Sequence, residues 1–244
     1  MKKLLDDLVK KYETKDFIKS DPIQFPHKYK NKTDIEISGF IASLFAFGRR
    51  EQFIKKLDFI FNLAQSPTEL IKDFKKYNLD DFLYRFIKNT DLIETLKILN
   101  KLYFIDKMSL EELFNSKNRL VCATKYFYKN CTCQNSQGFC FMFAKPENNS
   151  AMKRLNMFLR WMTRDGEVDF GIWKNIKKSE LLIPLDTHVA RISREFKLLN
   201  RKQNDIKAVI ELTEKLKEFD PNDPTKYDFA LFGLGITNNT KLQV

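Results

Sequence analysis

The sequence predicts an all-α protein, and three observations carry that prediction. Only seven glycines and seven prolines occur among 244 residues, too few turn formers for a sandwich or barrel of many short strands. Apolar side chains recur at three- and four-residue spacing along most of the chain, the period of one helix face. The polar intervals between these stretches are short, as in a helical bundle.

Charge narrows the range of partners. Lys and Arg number 43 against 32 Asp and Glu, a net charge of +11. That surplus points to a polyanion, nucleic acid first and an acidic membrane surface second; the plain alternative is a lysine-rich proteome. The N-terminus, Met1-Lys2-Lys3-Leu4-Leu5-Asp6-Asp7-Leu8, meets acids too early for a signal peptide, and no apolar run is long enough to span a bilayer. A cytoplasmic chain is expected.

Taken in order, Leu4, Leu5 and Leu8 mark a first amphipathic helix to Tyr12. Asp21-Pro22-Ile23-Gln24-Phe25-Pro26 reads as an extended crossing, because each proline restricts its predecessor. Thr33 or Asp34 then caps a segment from Ile35 to Phe47 that is apolar on nearly every face, the pattern of a buried central helix. It stops at Gly48, which suits a left-handed C-terminal position. Arg49-Arg50-Glu51 follow, and Phe53, Leu57, Ile60, Phe61 and Ala64 mark the next helix. Further helices are expected over Thr68–Tyr77, Leu79–Lys88, Asp91–Phe104 and Leu110–Phe114.

After the loop Lys145-Pro146-Glu147-Asn148-Asn149-Ser150, Ser150 caps a helix from Ala151 to Thr163. Its apolar stripe is Leu155, Phe158, Leu159 and Met162, with Lys153, Arg160 and Arg164 on the opposite face. Asp165-Gly166-Glu167 ends it, and an insert with Phe170 and Trp173 follows. Asp205 opens a helix through Leu216. The last helix, Thr225 to Gly235, has Asp223 as cap and Pro224 in its first turn.

The chemistry centres on Leu182-Ile183-Pro184-Leu185-Asp186-Thr187-His188-Val189-Ala190-Arg191. An apolar lead-in stops at Pro184, and a helix opens with Val189, Ile192 and Phe196 on one face. Asp186 therefore sits at a helix mouth, where unpaired backbone N–H groups hold a carboxylate ionised. A fixed carboxylate can stabilise a cationic transition state or take a proton; an ordinary helix cap needs no more than the same residue.

Pro184-Leu185-Asp186-Thr187-His188-Val189-Ala190-Arg191, followed by Phe196-Lys197-Leu198-Leu199, resembles the Val-Asp-Thr-His-Val-x-Arg…Leu-Gly-Leu segment of the helix-hairpin-helix DNA glycosylases, the endonuclease III and 8-oxoguanine glycosylase superfamily. More closely, the chain resembles a bacterial branch that keeps this segment without a recognisable glycine hairpin. Ile41-Ala42-Ser43-Leu44-Phe45-Ala46-Phe47-Gly48-Arg49-Arg50 is similar to the buried helix whose end carries the wedge that fills the gap left by an extruded base. Here the wedge glutamine is absent and Gly48 stands at the matching point.

The resemblance implies a two-lobed helical fold with a cleft. Residues 21–145 would form one lobe, and residues 1–20 with 146–244 the other. It implies a monomer that excises a damaged base from double-stranded DNA without a cofactor, with strand-nicking lyase activity if a lysine forms a Schiff base. Asp186 would be the catalytic carboxylate. The amine would be Lys153, in the first turn of the helix preceding the Asp helix, although the hairpin glycines are missing and the lysine-to-aspartate interval is longer. Arg49, Arg50, Arg154, His188, Arg191 and Arg194 would contact DNA. Trp161 and Trp173 would line the pocket for the flipped base; Phe158 reads as core.

The same residues leave two other classes open. One is a DNA- or RNA-binding protein that keeps the scaffold without catalysis. The other is a thiolate–metal protein built on Cys131 and Cys133, with Cys122 and Cys140 as further ligands. Its lone Cys-x-Cys fits no standard spacing, and reduced cytosolic thiols are the commoner outcome.

Overall fold

The structure, a computed structural model, describes residues 1–77 and 82–240. The described chain is mostly helical and divides into two units. Met1–Asp21 with Asn149–Val244 make unit 1, and Pro22–Asn148 make unit 2. No described helix is long and apolar enough to cross a membrane.

The chain begins in unit 1 with α1 (Lys2–Tyr12) and α2 (Lys15–Ser20). Pro22 and Pro26 each then open a short 3-10 turn, where an extended crossing was expected. Proline's fixed φ suits the first position of a turn as well as it suits extended chain.

Unit 2 contains α3 (Lys32–Phe45), α4 (Arg50–Phe61), α5 (Pro67–Lys72), a hairpin of β1 (Phe82–Tyr84) and β2 (Ile87–Lys88), α6 (Asn89–Asn100), α7 (Leu110–Phe114), α8 (Arg119–Asn130) and α9 (Gln137–Met142). Its axis is α3, buried at every residue from Asp34 to Phe45. The cap lies earlier than expected, at Asn31, whose side chain accepts the Asp34 N–H at 2.8 Å. Asp34 is inside the helix, and its carboxylate accepts from the Thr68 N–H and hydroxyl at 2.8 and 2.6 Å. Glu36, buried on the same helix, accepts from the Tyr103 hydroxyl at 2.6 Å. Pairing of this kind offsets the cost of taking a carboxylate out of water.

Phenylalanine fills the space around α3. Phe40 stacks on Phe127 of α8 at 5.2 Å, Phe127 on Phe143 at 4.4 Å, and Phe139 of α9 lies 4.7 Å from Phe143. Each such side chain stabilises the unit by about 1.5–3 kcal/mol on leaving water.

Two segments of unit 2 depart from the sequence reading. Where a helix was expected over residues 79–88, the described part is the hairpin, which turns at Arg85 with φ 56; residues 78–81 lie outside the described part. A short run of aromatic and β-branched residues satisfies either period. Here burial of Leu83, Tyr84 and Ile87 goes with the strands, and the Tyr84 hydroxyl donates to the Phe47 carbonyl at 2.8 Å. The expected helix to Phe104 ends as α-helix at Asn100 and continues as a π-helical turn, Lys101–Ile105.

Unit 1 resumes with α10 (Lys153–Thr163), α11 (Thr187–Glu195), α12 (Ile206–Lys217) and α13 (Tyr227–Thr240). Leu5, Val189, Ile192, Val209, Leu212, Tyr227 and Leu231 share its core. Two glycines let α13 approach its neighbours. A Cβ on Gly233 would lie 2.3 Å from the Tyr12 ring, and one on Gly235 would lie 2.8 Å from His188 Cβ and 3.3 Å from its Cα. The second contact is with backbone and cannot relax by a rotamer change. Gly235→Ala is therefore expected to destabilise unit 1 by about 1–3 kcal/mol through overpacking, read as a lower urea midpoint at unchanged slope. An unchanged midpoint would show that α11 and α13 are not in close contact.

Candidate active site

The apolar lead-in to Asp186 is fixed before the carboxylate is reached. Ile183, Pro184 and Leu185 are buried, and the Ile183 N–H donates to the Thr213 hydroxyl of α12 at 3.1 Å. Asp186 then takes extended backbone, and its Oδ1 accepts the Val189 N–H at 2.8 Å. It is the N-cap of α11, half-buried, with one oxygen committed to the cap.

Lys153 opens α10. Its approach is a turn with two left-handed residues, Asn149 at φ 55 and Met152 at φ 49, neither of them glycine. L-residues pay about 1–2 kcal/mol for that conformation, so the surroundings must hold it. The Ile206 N–H donates to the Asn149 carbonyl at 3.1 Å, and the buried Asn156 amide donates to the Ala151 carbonyl at 3.1 Å. Ser150 does not cap the helix as expected; it accepts the Met152 N–H at 3.2 Å, one residue before the helix starts. The half-buried Lys153 amine donates to Met157 Sδ at 3.2 Å.

The sequence reading put Arg160 and Arg164 on a solvent face. Both are buried, at 3% and 4% exposure. Arg160 pairs with Asp228 of α13 and, at 3.3 Å, with Asp169, while its guanidinium lies 4.2 Å from the centre of the Phe229 ring. Arg164 contacts Asp169 at 2.6 Å, Asp223 at 2.9 Å and Glu13 at 2.9 Å. Two guanidinium groups thus face four carboxylates. The carboxyl of Asp228 is pushed up to about 7, first by burial and then by the charge of Asp186, against the pull of Arg160 and Lys153. Asp228 is within electrostatic reach of both predicted catalytic residues. Asp228, Arg160, Arg164 and Asp169 were all missed in the sequence.

The remaining predicted residues are placed as follows. Burial lowers the pKa of Arg154, which is half-buried. His188 packs edge-on to Phe232 and against Gly235. Arg191 pairs with Glu195 and donates to the Gly235 carbonyl, both at 2.9 Å. Arg194 clasps the following loop through the carbonyls of Arg201 and Lys202 and the side chain of Asn204. Arg191 and Arg194 therefore serve the fold where phosphate contacts were expected. Trp161 and Trp173 are 0% and 1% exposed. Trp161 is core, which corrects its expected place in a base pocket. Trp173 sits edge-on to Phe158, and it borders a recess shared with Thr163, Asp165 and Lys174.

In unit 2, Arg49 is exposed and Arg50 half-buried at the start of α4, beside Gly48 at φ 78. A Cβ on Gly48 would meet the Tyr84 hydroxyl at 2.6 Å and the Arg85 guanidinium at 2.9 Å. The four cysteines do not gather into one ligand set. Cys131 and Cys133 are close, whereas Cys122 and Cys140 are exposed and stand outside that pair.

The raised Asp228 carboxyl has a thermodynamic consequence. Its folded value, about 7, lies above an ordinary aspartate's roughly 3.9, so between these limits the folded chain binds the extra proton. Stability from this group is full below about pH 4 and falls as pH rises toward 7. Asp228→Asn keeps the shape and removes the titration. Urea unfolding from pH 4 to 8 is expected to show a decline in wild type that is shallower in the variant; parallel curves would mean that Asp228 is ionised throughout.

Neither a curated protein nor a solved structure matches the chain. Its sequence from residue 21 to 237 matches a family profile described as "Protein of unknown function (DUF2400)", and the chain belongs to that family.

Proposed function

We propose that this protein is a DNA base-excision glycosylase, a monomer acting in the cytoplasm on a damaged base flipped from duplex DNA. The observation that carries the reading is Asp186 as the N-cap of α11, its Oδ1 accepting the Val189 N–H at 2.8 Å, at the position where the resemblance puts a catalytic carboxylate. The Asp186 segment resembles the glycosylase motif, and the net charge of +11 suits a phosphate backbone. The left-handed turn at Asn149 and Met152 supports it further, since it delivers Lys153 to the first turn of a helix without hairpin glycines.

The chemistry follows from these roles. Asp186, held in place by its cap bond to the Val189 N–H, stabilises the positive charge that grows on the sugar as the bond from C1′ to the base nitrogen lengthens. The base leaves with that electron pair and takes up a proton. The unprotonated amine of Lys153 forms the new bond to C1′. Opening of the sugar ring then gives an imine, from which β-elimination nicks the strand. Asp228, with its proton exchanging near neutral pH, is the nearby group suited to relay protons between these steps.

A panel of damaged duplexes tests this. Wild type is expected to excise at least one lesion. Asp186→Asn should slow excision by about 100-fold or more while binding stays unchanged, and Lys153→Ala should abolish the adduct trapped by borohydride. Salt-dependent binding with no product on any lesion, unaffected by Asp186→Asn, would identify a non-catalytic nucleic-acid binder and end the enzyme reading.

A further inference from the structure

The Cys-x-Cys of unit 2 has no part in the proposed chemistry, and its surroundings are unlike those of ordinary buried thiols. Cys131 is buried and Cys133 half-buried, with their sulfurs 3.2 Å apart. The loop that carries them, between α8 and α9, folds onto the first turns of α6. There Asp91 and Glu94, three residues apart, lie on one helix face. One ligand atom from each of Glu94, Cys131 and Cys133 falls within 4.8 Å of the other two. Asp91 Oδ1 is 3.9 Å from Cys133 Sγ.

We propose that Cys131, Cys133 and Glu94 hold a zinc ion, its fourth position taken by solvent, with Asp91 beside Cys133 as an outer partner. Bonds of about 2.0 Å to oxygen and 2.3 Å to sulfur in a tetrahedron put neighbouring donors some 3.3–3.8 Å apart, so the two sulfurs, 3.2 Å apart, need part only by about half an ångström to take a shared ion. Two thiolates in the set favour zinc over magnesium or calcium, which take oxygen donors.

Outer contacts orient the donors in the way a metal site needs. The Thr132 N–H donates to Glu94 Oε2 at 3.0 Å, and Lys97 holds Glu94 Oε1 at 3.0 Å. The Lys88 N–H donates to Asp91 Oδ2 at 2.8 Å, leaving Oδ1 toward Cys133. The Cys133 N–H donates to Cys131 Sγ at 3.2 Å, a contact that favours the thiolate. Gly138 of α9 presses on Asp91 so closely that a Cβ would lie 2.1 Å from Oδ2, which closes the site on that side.

Charge agrees with a dication. Ionised, the three donors and Asp91 beside Cys133 carry four negative charges, and Lys97 supplies one positive charge at their edge. Zinc brings the sum to one negative. On binding, each thiol releases its proton to solvent and each sulfur gives an electron pair to the metal, with no change of oxidation state.

The test uses the full chain, purified under reducing conditions and loaded with zinc. One equivalent of zinc after dialysis is expected by elemental analysis, retained in Cys122→Ser and lost in both Cys131→Ser and Glu94→Gln. Cobalt in place of zinc should give a thiolate charge-transfer band that disappears in Cys133→Ser. Should a variant fail to fold, wild type alone decides by alkylation mapped by mass spectrometry. Zinc is expected to protect Cys131 and Cys133 and to leave Cys122 and Cys140 reactive. Equal labelling with and without zinc, zinc content unaffected by Cys131→Ser, or a Cys131–Cys133 disulfide in the reduced preparation would each overturn the proposal.

Discussion

Unit 1 depends on two buried arginines one turn apart. Arg160 and Arg164 are enclosed by carboxylates from four separate stretches: Glu13 after α1, Asp169 in the insert, Asp223 before α13 and Asp228 within it. Burying an ion costs several kcal/mol, and the attraction between partners repays it only with good geometry. Such a network adds little net stability over an apolar core of the same volume. Its effect is selective: an arrangement that moved any of the four stretches would leave a guanidinium or a carboxylate uncompensated, at about 3–5 kcal/mol. The packing of α10 against α13 is thereby confined to one register.

That register sets the site. Lys153 lies two turns before Arg160 on α10, so fixing Arg160 fixes where the amine enters. Asp228 belongs to α13, the helix that Gly235 brings against the first turn of α11, where Asp186 is the cap. One helix thus connects the buried arginines with the half-buried carboxylate of Asp186. The surplus of carboxylates over guanidinium groups has an outlet as well, because Asp228 keeps its proton up to near neutral pH.

What the sequence made legible was local. Asp186 could be read because the breaking proline, the cap and the amphipathic stripe are contiguous, and its cap bond to Val189 is where that pattern puts it. The all-α class and the burial of α3 were legible for the same reason. Arg160 and Arg164 were not, since a helical period assigns charged residues to water and only partners scattered along the chain, Glu13, Asp169, Asp223 and Asp228, reverse that. A signal was present in the apolar residues that flank both arginines on α10, too many for a helix with one wet face. The hairpin was hidden by a short apolar run that fits two periods. Cys131 and Cys133 declared themselves by adjacency, whereas Glu94 and Asp91 became visible as their neighbours only once α6 was in place.

The placement of the amine and the carboxylate has a chemical logic of its own. A lysine and an aspartate in direct contact would form an ion pair, and the ammonium so stabilised is a poor nucleophile. Here Asp186 is turned to the backbone of its own helix, and Lys153 rests on a methionine sulfur, a weak acceptor. Asp228 is tied to Arg160. Each acid is thus engaged by a partner other than the lysine, the separation that the proposed chemistry would need.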